Sequence, residues 1–391
     1  MALSRSRITW LMYMATAAWA SFIYLLGPST PLLADDFALD TRQAGLYGAA
    51  LAVGIVSGGL ISSRVASQLG RSVAFRLGLV LLVSGVGVLA IAPGYLVSLL
   101  GVWVAGTGGA FILSTTTATL SDVHGNDSAA AITEANALAA WVGAASPLVL
   151  GLVLAAGLGW RGAVGLCLVL AGGALLAGLR SSGGRHPDDA TSPVTPSAPR
   201  SSLRTRRFVL TCVALFAAVG SEFAVNFWGA TVLRELTSDA GAAAGMSAVV
   251  VGLAVGRTGG AWVLTRMEAH PLMLGGFTLT GAGFAVFWSS GSFAVAVSGL
   301  FVVGLGLATL FPTILDRIVA NSGGQPDRAL AIGSLVLGSA IGIAPFALGT
   351  LASAIPVREA FLLVAGLLAV GILAVLTSRP VRAAPAQPRQ N

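Results

Sequence analysis

Apolar runs of twenty or more residues recur along almost the whole chain, separated by short segments carrying arginine, proline or glycine. A helix needs about 20 predominantly apolar residues to cross the hydrocarbon of a bilayer. The runs predict twelve spanning helices, over 8–33, 43–63, 72–92, 95–120, 129–157, 162–180, 208–233, 243–265, 271–289, 293–318, 328–354 and 358–377. The sixth and seventh are separated by a segment rich in Pro, Ser and Arg with no periodicity, which reads as a flexible linker. The expected organisation is an all-α membrane protein: an N-terminal six-helix bundle over 1–180, a linker over 181–207, a C-terminal six-helix bundle over 208–378 and a disordered basic tail over 379–391.

Placing the loops alternately on two sides puts seventeen of the 22 arginines on the side of the N-terminus. Only Arg42, Arg161, Arg234 and Arg358 fall on the other, and Arg257 lies within a predicted span. The positive-inside rule then puts both termini and the linker in the cytoplasm, in a cell's inner (plasma) membrane. Composition agrees: 55% of the residues are hydrophobic and 9% charged, with mean hydropathy +0.87. Soluble domains carry roughly 25% charged residues. A net charge of +7 does not point to nucleic acid, because the arginines fall between apolar runs rather than on one face. The first run begins after Arg5 and Arg7 like a signal peptide, but it is longer than an h-region of about 7–15 residues and reads as the first span. Cys167 and Cys212 sit inside apolar runs, and the three histidines show no metal-ligand spacing. No metal or cofactor is expected. No Walker-type loop or nucleophilic triad is present, so the chain does not read as an enzyme.

The halves repeat. At an offset of 198, "GVWVAGTGGA" (101–110) matches "GLFVVGLGLA" (299–308), and "SPLVLGLV" (146–153) matches "APFALGTL" (344–351). At an offset of 202, Gly54, Gly58 and Arg64 meet Gly256, Gly260 and Arg266. Two six-helix repeats joined by a cytoplasmic linker suit a transporter whose halves rock about a central site. Twelve spans as six plus six, a long middle loop and a basic loop after the second span resemble the major facilitator superfamily over essentially the whole chain. That family's loop signature, Gly-x-x-x-Asp-Arg-x-Gly-Arg, is represented by "SRVASQLGR", in which Gly70 and Arg71 match while Ser63, Ser67 and Gln68 replace the Gly, Asp and Arg. The missing Asp leaves the usual gating charge pair without one member. The fifth span, "GAASPLVLG", keeps Pro147 and Gly151 of the family's antiporter pattern and has Ser146 for a Gly, which favours export. "EFAVNFWGATVL" (222–233) is similar to the seventh span of fucose-permease-like members, which favours sugar uptake. The resemblance also implies a monomer.

Glu222 lies near the middle of the seventh span. An ionised carboxylate at the bilayer centre costs roughly 2.5–3.5 kcal/mol on insertion scales, so burial favours the neutral acid and suits a proton carrier. Asn226 and Gly229 share its helix face, and Trp228 flanks it. Arg257, in the eighth span, has two open readings: it binds a substrate anion or pairs with Glu222 in the cavity, or it snorkels to the cytoplasmic face. In the fourth span Thr115 and Thr116 either line a polar cavity or bond their own helix's carbonyls. Tyr24 and Trp141 are candidate stacking partners for a substrate. Asp35, Asp36, Asp40 and Arg42 read as a solvated external cap, and Glu134 as part of a cytoplasmic charge network with Asp122. The function expected is proton-coupled secondary transport of a small organic molecule, by export through antiport or by sugar-like uptake through symport. A non-transporting membrane sensor on the same scaffold is the alternative.

Overall fold

The computed structural model describes residues 5–180, 205–264 and 267–378. The predicted tail, most of the predicted linker and Arg266 lie outside the described residues. Among those described there are helices and no strands. The first six helices are α1 (Arg7–Asp36), α2 (Thr41–Leu69), α3 (Arg71–Ala90), α4 (Tyr95–His124), α5 (Ser128–Ala155) and α6 (Gly159–Arg180). The remainder are α7 (Arg206–Leu233), α8 (Asp239–Gly245), α9 (Ser247–Leu264), α10 (Ala269–Ser289), α11 (Phe293–Leu307), α12 (Leu310–Ala320), α13 (Pro326–Ala352), α14 (Val357–Ala360) and α15 (Leu362–Thr377). Twelve stretches are long and apolar enough to cross a membrane; α8 with α9, α11 with α12, and α14 with α15 each make up one of them.

Helix ends follow local chemistry. Ser6 caps α1 by accepting from the Thr9 N–H. Asp40 and Gln43 form a reciprocal capping box at the start of α2, which saturates backbone donors that α2 cannot pair internally. Gly70 is the single residue between α2 and α3 and has φ +89°. That is left-handed territory where a Cβ is costly, which accounts for a glycine at this signature position. The tenth span is interrupted at Ala308–Thr309, so Pro312 falls in the first turn of α12, where a missing N–H costs nothing. Pro147 and Pro345 lie inside continuous helices, as do Pro28 and Pro31 of α1.

The repeat runs through the whole fold at one offset. Thr41 and Asp239, Arg71 and Ala269, Tyr95 and Phe293, Ser128 and Pro326, and Gly159 and Val357 all begin helices and all differ by 198. Packing obeys the same rule. A Cβ at Gly54 would meet the Trp103 carbonyl and Thr107 N; a Cβ at Gly252 would meet the Phe301 carbonyl and Leu305 N. Gly58 and Gly256 correspond likewise, against Thr107 and Ala110 and against Leu305 and Ala308. The equivalents of Gly54 and Gly58 are therefore Gly252 and Gly256, and the 202 offset is a chance match among 51 glycines. These glycines let backbones touch where apolar burial gives no preference for helix over lipid.

Within the first six helices α3 packs on α4, α4 on α2, and α1 on α5; in the remainder α10 packs on α11, α11 on α9, and α13 and α15 on α7. Contacts between the two sets run through α1–α7, α2–α13, and α5 with α8 and α9. Many of them lie toward the side away from the termini, here called the far side. Gly48 meets Pro345, Gly342 meets Ala52, and Gly151 meets Ala240 and Ala244. Arg234 Nη2 reaches Asp35 Oδ2 at 2.5 Å and its Nε reaches Asp239 Oδ1 at 2.7 Å, tying α1 to the α7–α8 corner. On the side of the termini, the ion pairs among the described residues stay within one set: Arg5–Glu134 at 3.0 Å, and Arg71–Asp122. The halves are thus latched on the far side.

Candidate functional site

α1 and α7 are the most enclosed of the twelve stretches, with 72% and 67% of their apolar windows buried, so they form the centre of the bundle. From Ala15 to Pro31 every residue of α1 is buried except Tyr24. From Ala217 to Ala230 every residue of α7 is buried except Glu222. The two exceptions face each other: the Tyr24 hydroxyl donates to Glu222 Oε1 at 3.2 Å. A space therefore opens at the seam between the halves, and in each central helix one polar side chain borders it. Tyr24 and Glu222 differ by 198 and so occupy equivalent places in the repeat.

Glu222 is sixteen residues into α7, about 24 Å along its axis at the ordinary helical rise. Tyr24 is held by α5: a Cβ at Gly143 would lie 2.5 Å from Tyr24 Cδ2, so only a glycine admits the ring there. Pro147 cannot bond the Gly143 carbonyl one turn back, which loosens α5 beside the ring. Arg257, two turns inside α9, is half-buried. It stands near enough for its charge to act on both the Tyr24 phenol and the Glu222 carboxylate, but no Glu222–Arg257 ion pair closes within 4.0 Å. An acid, a base and a phenol from three helices thus converge on one space.

The remaining sequence candidates lie in packed contacts or at the surface. Asn226, one turn beyond Glu222, is buried against α1, where a Cβ at Gly27 would lie 2.0 Å from Asn226 Oδ1. That oxygen has no hydrogen-bond partner. Trp228 is buried and donates through Nε1 to the Pro345 carbonyl at 2.9 Å, inside the far-side contact of α7 with α13. Thr115 donates to the Phe111 carbonyl of its own helix at 2.7 Å, and the Thr116 hydroxyl is buried without a partner. Trp141 is exposed and lies two residues from Gly143, about 200° round the helix; it points away from Tyr24. Gly70 and Arg71 form the α2–α3 corner, Arg71 pairing with Asp122 at the end of α4. Gly151 carries the contact with α8. An apolar cavity of about 280 Å³ lies between α1, α5 and α6, bordered by Ser21, Leu25, Ser146 and Cys167, and has no charged group in its lining.

The charges of the first external loop are exposed, and its acids also have specific partners. Asp35 belongs to the Arg234 latch, Asp36 binds Arg161 at 2.7 Å, and Asp40 caps α2. Arg234 lies outside the spans. Its hydrogen bond to Asp239 and the neighbouring Asp35 raise its pKa above the ordinary arginine value, so it stays charged throughout. Glu134 bonds Arg5 and the Tyr13 hydroxyl (3.1 Å), separately from Asp122. The Asp35–Arg234, Asp36–Arg161 and Arg5–Glu134 partners lie more than a hundred positions apart, which is why spacing alone did not pair them.

Comparison with known proteins places this geometry. The model of the Major Facilitator Superfamily matches residues 9–323. No curated protein sequence matches the chain. A mutant form of the nucleoside transporter NupG superposes with TM-score 0.78 at 14% identity, covering 95% of this chain and 98% of that one. A bacterial homologue of the human lysosomal transporter Spinster, inward-facing and unoccupied, gives 0.78 at 13% identity over 98% and 100%. A mutant form of the E. coli fucose:proton symporter FucP gives 0.65 at 17% over 97% and 100%. At such identities the likeness is one of fold.

Proposed function

Because the chain belongs to the major facilitator superfamily, and is therefore a multi-pass membrane transporter and not an enzyme, we propose that it moves a small organic molecule through a plasma membrane by proton-coupled alternating access, with Glu222 as the proton carrier. The observation that carries this reading is the pair of partly accessible positions, Tyr24 and Glu222, in the otherwise buried stretches 15–31 and 217–230, joined across the seam. An ionisable group kept inside the membrane is functional by default, and this one borders a space between halves that rocking would expose to either side in turn. Taking the arginine-rich side as cytoplasmic, we read the far-side contacts as an inward-facing arrangement. Substrate enters the space beside Glu222 and Arg257.

Tyr24 steadies the carboxylate by one hydrogen bond, and Arg257 supplies the charge that makes deprotonation feasible. When the halves rock, the α1–α7 contact that aligns Tyr24 with Glu222 changes, and with it the acid's proton affinity. Export by antiport is supported by the Pro147 and Gly151 pattern. Uptake by symport is supported by the cation beside the carboxylate. In proteoliposomes carrying an internal pH dye, a proton flux dependent on substrate is expected for the wild type and absent for Glu222→Gln. An unchanged flux in that variant would refute the assignment.

A further inference from the structure

Glu222 and Arg257 are the most deeply placed acid and base among the described spans, and they share one space. The helices packed on α7 add no other charge at that depth. α13 has no ionisable residue after Arg328, α15 has none, and α1 contributes Tyr24 alone between Tyr13 and Asp35. Asp316 and Arg317 of α12 and Arg358 and Glu359 of α14 lie at the two ends of the bundle.

Charge balance then follows from which group is loaded. With Glu222 ionised, the pair sums to zero. With Glu222 protonated, Arg257 is left as a lone cation inside the membrane. A monoanionic substrate restores neutrality, while an organic cation would compete with the proton for Glu222. A neutral sugar would leave Arg257 uncompensated. Resting on the proton-carrier reading above, we infer that the substrate is a small organic monoanion, a monocarboxylate, held by Arg257 and Tyr24 at the seam. Proton and substrate then favour each other's binding and travel in the same direction, electroneutrally. Arg257 stands beside Tyr24 and Glu222 without closing an ion pair onto the carboxylate within 4.0 Å, and a guanidinium so placed can turn its fork to a substrate carboxylate.

The test is binding, measured separately from flux. Purified full-length protein is screened by thermal shift against lactate, pyruvate, gluconate and benzoate, with glucose and uridine as neutral controls and tetraethylammonium as a cationic one. The affinity of any carboxylate hit is then titrated with pH. These carboxylates keep their charge across the range, so uptake of one proton on binding weakens Kd about tenfold per pH unit above the titration of Glu222. Glu222→Gln, which mimics the protonated acid, should bind without pH dependence. Arg257→Gln should weaken binding at least about tenfold, the loss expected when one charge-assisted hydrogen bond goes, and Arg257→Lys should restore part of it. Stabilisation by a neutral or cationic compound alone, by no carboxylate, or by a carboxylate without pH dependence overturns the inference. In the first case, loss of proton flux in Glu222→Gln would still leave the carrier assignment standing.

Discussion

Replacing Gly27 by alanine strikes the α1–α7 contact on which far-side closure depends. In the closed arrangement the added Cβ would lie 2.0 Å from Asn226 Oδ1, 2.4 Å from the Asn226 carbonyl oxygen and 2.8 Å from its carbonyl carbon. Swinging the amide away relieves only the first of these. The backbone contacts require the helices to part by about 1 Å, because carbon contacts settle near about 3.5 Å or beyond. Overpacking of this kind costs about 1–3 kcal/mol, and the cost falls only on the conformation in which α1 and α7 touch there. The ratio of far-side-open to far-side-closed protein should therefore rise about 5–150-fold. Spin labels at Arg42 and Glu235, both exposed on the far side, report it in a background with Cys167 and Cys212 replaced by alanine. The long-distance population should grow at the expense of the short one. Distance distributions identical to those of the parent would show that this contact does not govern closure.

Arg234→Gln removes both arms of the latch and should shift the same equilibrium in the same direction by less, about 0.5–1 kcal/mol, since its carboxylate partners are exposed. The same distance measurement should lose its salt dependence in this variant. Asn226→Ala deletes a buried acceptor with no partner, which costs about 1–3 kcal/mol when left unsatisfied, so it should favour the far-side-closed population, opposite in sign to Gly27→Ala. Tyr24→Phe removes the donor to Glu222 while keeping the ring that Gly143 accommodates; thermal stability should change by about 1 kcal/mol or less, and the pH profile of flux should move. A profile superimposable on the wild type would exclude Tyr24 from the proton site.

Span number was legible because runs of about twenty apolar residues are imposed by the bilayer itself, one helix at a time. Glu222 stood out for the same reason. What was not legible depends on contacts between residues more than a hundred positions apart. Asp35 is a solvated charge that also reaches Arg234, a pairing that spacing does not reveal. Tyr24 read as a candidate stacking ring, whereas its hydroxyl meets Glu222. Trp228 read as flanking the cavity because it lies near the Glu222 face, and it donates instead to a carbonyl of α13. The glycine match at an offset of 202 arose because glycines recur every few residues in these helices; only their packing partners distinguish Gly252 from Gly256 as the equivalent of Gly54.

Coupling requires Glu222 to take up and release a proton as the seam opens to one side and then the other. Difference infrared spectroscopy across a pH titration reads that carboxyl directly, in wild type, in Glu222→Gln and in Gly27→Ala. A protonated-carboxyl band that Glu222→Gln abolishes, and that titrates at a different pH in wild type and Gly27→Ala, is the predicted result. A band that survives Glu222→Gln, or that titrates identically in both conformational backgrounds, would contradict it.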